Sequence, residues 1–181
     1  MSAEPYCSLP NIPPLDPVYY EIAQQVRYIP PDPTQLRAQA IGSIAEDFSS
    51  GRFVRDLKRH FGDQRVLAAF LQNPPMTNYN WHTDIDHPER GARMCAINYL
   101  LSPADSVYTL FSVPDSRVGR HMHGVQICPY QRYNGLLFNT QCEHCILNLS
   151  DQPRYILSVG FHGIDYATVK RWLLDYEFVS Y

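Results

Sequence analysis

From residue 65 onward, apolar and polar positions alternate in short runs, and each run stops at a cluster of proline, glycine, asparagine, aspartate or serine. A period of two, interrupted this often, predicts β-strands joined by tight turns. Eight runs stand out, at about 65–71, 78–84, 93–101, 107–113, 121–128, 135–139, 143–149 and 154–161. Their separators include Asn73-Pro74-Pro75, Pro88-Glu89-Arg90-Gly91, Ser102-Pro103, Pro114-Asp115-Ser116, Asn134-Gly135 and Asp151-Gln152-Pro153. In the last run Tyr155, Leu157, Val159 and Phe161 share one face, expected to pack under helices. Arg154, Ile156, Ser158 and Gly160 share the other, expected to line an interior space. In 93–101 the alternation leaves open whether Asn98 or Tyr99 turns inward.

Ahead of residue 65 the period is helical. Asp32-Pro33 offers an N-cap and a first-turn proline. Leu36, Ala40, Ile41, Ile44, Ala45 and Phe48 then fall on one face, and Ser49-Ser50-Gly51 ends the helix. A second helix is predicted from about Arg52 to His60, with Phe53, Val54, Leu57 and Phe61 apolar and Gly62 as its stop. A last helix is predicted at about 166–175, with Val169, Trp172, Leu173 and Tyr176 as its stripe. The prolines of residues 1–33 exclude a long helix and predict an extended arm, with a short apolar piece at Val18 to Val26. The expected organisation is one domain over 1–181: the arm at 1–33, helices at 34–62, a strand core at 65–161, and a helix and tail at 165–181. Eight short strands suit a mainly β jelly roll, a cupin-like double-stranded β-helix with the N-terminal helices packed on one sheet.

Composition narrows the class. The chain has 181 residues, 45% hydrophobic and 18% charged, which suits a globular core rather than disorder. Its net charge of −3 gives no general basic footprint, so nucleic acid is not an expected partner, although Arg90, Arg93, Arg117 and Arg120 fall in one region. No apolar run reaches the roughly 20 residues of a membrane span. The opening residues do not read as a signal peptide, and five cysteines without a framework spacing suit reduced thiols, so a cytoplasmic protein is expected. Oligomeric state is not readable.

The candidate chemistry centres on Tyr79-Asn80-Trp81-His82-Thr83-Asp84. On an extended strand His82 and Asp84 point to one face. His144 lies 62 positions after His82 in another strand-like run, Cys142 to Leu149. Two imidazoles and a carboxylate can occupy one face of an octahedral metal and leave three positions open, the arrangement of non-haem Fe(II) oxygenases. Asp86 has the parity of Asp84, so His82, Asp84 and Asp86 form an alternative set, with Asp86 and His87 otherwise expected on a rim loop. Arg154, ten residues after His144, begins an apolar strand, where a guanidinium suits a carboxylate. Its plainer role would be a strand-edge ion pair. Cys142 and Cys145 with His121 and His123 raise a zinc or redox reading. A spacing of three puts the two thiols on opposite strand faces, which argues against one shared metal.

His-x-Asp, a distal His and an Arg ten residues later resemble the Fe(II)/2-oxoglutarate-dependent oxygenases. The stretch from Phe138 to Phe161 is most similar to small bacterial and phage members and to the aspartyl/asparaginyl hydroxylase-like branch. The resemblance runs from about Leu67 to Phe161. It implies that the second and seventh predicted strands are neighbours, bringing His82, Asp84 and His144 together around Fe(II). It further implies O2 as oxidant and 2-oxoglutarate as cosubstrate, chelated through its 2-oxo and C1 carboxylate groups. The C5 carboxylate would lie on Arg154, with Asn98 and Ser158 as further cosubstrate contacts. One departure is Ile156, where many relatives carry Ser or Thr two residues after the Arg; Ser158 comes two later. The implied activity is hydroxylation of an unactivated C–H bond on a small molecule or peptide, an amino-acid side chain in particular. An intact Asp84 favours hydroxylation over halogenation. The competing readings are a cupin-type metal-binding module without turnover and a metalloenzyme independent of 2-oxoglutarate.

Overall fold

The computed structural model describes residues 4–26, 39–40, 42–84, 86–87, 91–102, 106–114, 123–131 and 133–176. Two antiparallel sheets face each other, and helices cover the outer side of the larger one. In chain order the strands are β1 (Tyr6–Cys7), β2 (Gln39–Ala40), β3 (Val66–Asn73), β4 (Thr77–His82), β5 (Asp86–His87), β6 (Gly91–Leu100), β7 (Val107–Pro114), β8 (His123–Ile127), β9 (Leu136–Asn139), β10 (His144–Asn148) and β11 (Arg154–His162). The helices are α1 (Val18–Gln25), α2 (Gly42–Ser50), α3 (Arg52–Phe61) and α4 (Tyr166–Asp175). The larger sheet runs β1-β9-β6-β11-β3-β2 with β5 added to β6, and the smaller runs β4-β10-β7-β8. This is the double-stranded β-helix expected from the strand count. All eight expected strands are present, and β4 and β10, the second and seventh of them, are hydrogen-bonded neighbours.

The alternation of β11 divides two cores. Tyr155, Leu157, Val159 and Phe161 join Phe53, Val54, Leu57, Val169 and Leu173 in the main core under the helices. On the other face Ile156 packs with Leu100 and Val107 between the sheets. Tyr99 belongs to the helix side, where its hydroxyl donates to Pro13 O at 3.0 Å. Asn98 therefore takes the inter-sheet face, opposite Ser158 in register. The arm closes the open side of the roll: Tyr6, on β1, packs on Phe111 and Phe138 and donates to Ile127 O of the smaller sheet at 3.1 Å.

One expected helix is shorter than its periodicity suggested. Gln39 and Ala40 are a strand, paired with Gln72 and Leu71, and the helix begins at Gly42. β11 covers one edge of β3 and leaves the other open; two residues of chain cap that edge, and edge coverage outweighs local helical preference there. Asp32 and Pro33 lie outside the described residues. The stop at Gly62 is as expected, its φ of 97° being a conformation that glycine adopts without a Cβ clash.

The start of α4 has a feature that periodicity could not reveal. Asp165 caps the helix by accepting from Thr168 N at 2.8 Å, and Thr168 Oγ1 donates to its second oxygen at 2.7 Å. These bonds hold the Asp165 carboxyl below its ordinary pKa. Asp165→Ala is expected to cost about 1 kcal/mol in urea denaturation at neutral pH. Because the folded-state pKa is the lower one, the wild-type advantage should shrink as pH falls through it and vanish in acid.

Candidate metal centre

The site forms where β4 ends beside the start of β10. His82, the last residue of β4, pairs with His144, the first of β10, and their ring centroids are 4.5 Å apart. Between this pair and Tyr79↔Ile146, β4 has one residue more than β10, a bulge. The bulge places Tyr79 and His82, three apart in sequence, opposite alternate residues of β10. The strand stops at His82, so Asp84 does not reach the site by strand parity as expected. It lies in the following loop, which the turn between β9 and β10 holds: Asp84 N donates to Thr140 O at 3.1 Å and Gln141 Nε2 to Asp84 O at 3.3 Å. Ligand atoms of His82, Asp84 and His144 all lie within 4.8 Å of one another, the one such cluster among the described residues.

Both rings are held through one nitrogen by a nearby backbone carbonyl. Nδ1 of His82 is 2.7 Å from Asn80 O, and Nδ1 of His144 is 3.0 Å from Cys142 O. A carbonyl only accepts, so each Nδ1 carries the proton and each Nε2 keeps its lone pair. Burial lowers the pKa of His144 below the ordinary imidazole value, opposed in part by the bond to Cys142, which keeps the ring in its neutral, ligating form. Asp84 accepts at Oδ2 from Arg93 Nε on β6 at 2.6 Å. Arg93 is thus committed to Asp84 and does not hold a separate carboxylate through Nε. Of the basic cluster read from sequence, Arg90, Arg117 and Arg120 lie outside the described residues, as do the side chains of Asp86 and His87.

Arg154 lies at the other end of the inter-sheet space and is 2% exposed. Nη1 donates to Asn73 Oδ1 at 2.9 Å, and Nη2 donates to Thr109 Oγ1 at 2.8 Å and Tyr130 Oη at 3.0 Å. Nε has no partner, and no carboxylate of the described residues pairs with the guanidinium. The strand-edge ion pair is therefore not what these residues form. Thr109 and Tyr130 are 3.0 Å apart, and one donates to the other. Two hydroxyls bring two protons, Arg154 accepts neither, and their mutual bond uses one, so an O–H donor remains. Burial raises the Tyr130 pKa, against the opposing charge of Arg154, so the phenol stays protonated. The spot has donors in excess and a buried positive charge, with no carboxylate from the described residues. Such a charge is costly unless an anion arrives.

The spacing between the two ends is set by the register of the smaller sheet. Thr109 pairs with Ile146, and Phe111 pairs with His144. Two strand positions are about 7 Å, so the residue that holds Arg154 and the residue packed on His144 are one inward step apart on the same strand. On the larger sheet Asn98 and Ser158 pair in register on the inter-sheet face and bond to each other, Ser158 Oγ donating to Asn98 Oδ1 at 2.6 Å. Sequence reasoning missed Thr109 and Tyr130. The available signal was a polar Thr109 in step with Val107 and Phe111, at an inward position of an otherwise apolar strand.

Among the described residues no cluster that could hold a metal includes a cysteine. All five cysteines are free, and burial raises the pKa of Cys142 and Cys145. His121 and the side chain of His123 lie outside the described residues.

No protein-family model matches the sequence, and no curated protein matches it. Solved structures do match the fold. EctD from S. alaskensis with bound Fe aligns with a TM-score of 0.58 at 14% identity, over 88% of this chain and 73% of EctD. HygX from Streptomyces hygroscopicus, with nickel, 2-oxoglutarate and hygromycin B bound, gives 0.55 at 12%, over 87% and 82%. The non-haem α-ketoglutarate-dependent carbocyclase SnoK from nogalamycin biosynthesis gives 0.54 at 14%, over 88% and 79%. This chain has the fold that these three proteins share.

Proposed function

We propose that the protein is an Fe(II)- and 2-oxoglutarate-dependent oxygenase. The observation that carries this is the pairing of two half-sites: a three-ligand cluster at His144, and a buried guanidinium, held by Thr109 two strand positions from the Phe111 that pairs with His144, for which the described residues supply no carboxylate. His82 and His144 would hold iron through Nε2 and Asp84 through a carboxylate oxygen, a hard, borderline donor set suited to Fe(II). The chemistry that bound iron supplies is oxidative decarboxylation of 2-oxoglutarate to succinate and CO2, with one oxygen atom of O2 inserted into a substrate C–H bond.

The chain's own residues bind and orient the reactants. Arg154 receives the C5 carboxylate on Nε and the free edges of its fork. The spare hydroxyl proton of Thr109 or Tyr130 supplies the second anchor that Ile156 cannot. Asn98 and Ser158 form the floor beneath the carbon chain. Ile156, Leu100 and Val107 keep water from the C5 end, which strengthens the charge-assisted bonds there. The bound cosubstrate fixes the 2-oxo end toward the ligand cluster. Because position 84 is an aspartate, no ligand position is vacated for halide, and the outcome is hydroxylation. The substrate is a small molecule or an amino-acid side chain, and HygX, with hygromycin B bound, sets a precedent for a free small molecule in this fold.

The test is aerobic incubation of the Fe(II)-loaded protein with labelled 2-oxoglutarate. The proposal expects iron-dependent succinate and CO2 in equal amounts. Iron binding without succinate would favour the cupin-type binding module. Oxygen consumption that ignores both 2-oxoglutarate and Arg154→Ala would favour the 2-oxoglutarate-independent metalloenzyme.

A further inference from the structure

Arg93 reaches Asp84 by a narrow route. Its side chain leaves β6 and crosses the backbone of β11 at Gly160. A Cβ added to Gly160 would lie 2.8 Å from Arg93 Cδ and 3.4 Å from Cγ. Gly160 lies outside the left-handed region, so alanine would suit its backbone, and the atoms an alanine would meet first belong to the Arg93 side chain, which would have to shift. Beyond the notch, Nε donates to Asp84 Oδ2, and no described side chain bonds Oδ1.

The same turn that holds the Asp84 loop also holds the backbone of Arg93. Thr140 Oγ1 and Gln141 Nε2 both donate to Arg93 O, the latter at 3.1 Å. One residue further on, Cys142 O fixes the His144 ring. A single turn, Thr140 to Cys142, therefore references the carboxylate, its guanidinium partner and one imidazole to each other.

We propose that Arg93 is a positioning residue that holds Asp84 in ligating geometry before metal arrives, and that Gly160 exists to let it pass; this rests on the metal-site reading above. The loop after β4 has no strand to orient Asp84, and a free carboxylate would lose rotamer freedom on binding. Arg93 removes that cost in advance. Its positive charge also repels a nearby divalent cation, so the sign of the net effect is itself informative: positioning predicts weaker metal binding without Arg93, and repulsion alone predicts tighter binding.

The experiment is anaerobic Fe(II) titration calorimetry of the full chain, with Co(II) absorption spectra in parallel. Arg93→Met should bind about 10- to 100-fold more weakly, and Arg93→Lys should recover part of the loss. Gly160→Ala should weaken binding in the same direction by expelling the guanidinium. Both should alter the Co(II) spectrum alike, and a melt of each metal-free protein checks that it is folded at the temperature of the titration. The double variant should bind no more weakly than Arg93→Met alone, because both changes remove one contact. Unchanged or tighter binding by Arg93→Met overturns the proposal. Full additivity in the double variant overturns the role of Gly160. If Arg93→Met does not fold, Arg93→Lys and Gly160→Ala carry the test, and wild-type affinity in both overturns it. A wild type that takes up no metal, or a His144→Ala variant that binds as tightly as wild type, overturns the metal-site reading instead.

Discussion

Replacing Arg154 with alanine should leave Fe(II) binding intact and raise the 2-oxoglutarate requirement steeply. The proposed metal ligands lie on β4, the loop after it and β10, whereas Arg154 begins β11, so the two proposed functions separate. Removing one partner of a buried charge-assisted pair costs about 3–5 kcal/mol, or about a hundred- to several-thousand-fold in affinity. Arg154→Lys should recover only part of this, since an ammonium has no planar fork to offer. The loss should be specific for the distal carboxylate. Pyruvate, which lacks that group, should be a poor cosubstrate for wild type and nearly indifferent to the mutation. Wild-type protein should melt at higher temperature with 2-oxoglutarate, and Arg154→Ala should not respond. Equal 2-oxoglutarate affinities in the two proteins would return Arg154 to a structural role bridging Asn73, Thr109 and Tyr130.

The second large effect concerns the ligands. His82→Ala, Asp84→Ala and His144→Ala should each abolish stoichiometric Fe(II) binding, beyond the roughly 10- to 100-fold that supporting residues cost. Folding should survive, because none of the three belongs to the main core under the helices. His144→Ala is the most decisive, since its ring stands between His82 and Phe111 and touches both. Metal analysis after gel filtration, with a thermal melt of each metal-free protein, measures both halves of this expectation. An iron-replete His144→Ala protein would remove that residue from the site. Iron lost in an Asp86→Ala variant but kept in Asp84→Ala would transfer the carboxylate role.

Long-range features were legible where local pattern and tertiary need agree. The alternation of 154–161 separated helix-facing from interior residues correctly, because a strand buried on both sides admits only that division. The α4 stripe was equally clear, with Val169 and Leu173 fully buried. What escaped was set by partners remote in sequence. Gln39 and Ala40 look helical in isolation and become strand because β3 has a free edge. The β4 bulge and early strand end broke the simple parity of His82 and Asp84; a one-residue insertion leaves no compositional mark. Arg93 could be seen as a nearby cation but not as the partner of Asp84, since that depends on a notch at Gly160, sixty-seven positions away. Thr109 and Tyr130 reach Arg154 from the opposite sheet and the segment after β8. Only the folded register brings them to Arg154, where the proposed function makes them the anchors missing at Ile156.

The most direct measurement is an anaerobic optical titration of the Fe(II) protein with 2-oxoglutarate. If the cluster of His82, Asp84 and His144 holds iron with open positions and Arg154 draws in the distal carboxylate, a visible charge-transfer absorption should grow and saturate at one equivalent. It should require far more cosubstrate in Arg154→Ala, and it should be absent with glutarate, which has both carboxylates but no 2-oxo group. A wild-type protein that binds Fe(II) stoichiometrically yet develops no such absorption at saturating 2-oxoglutarate would contradict the account.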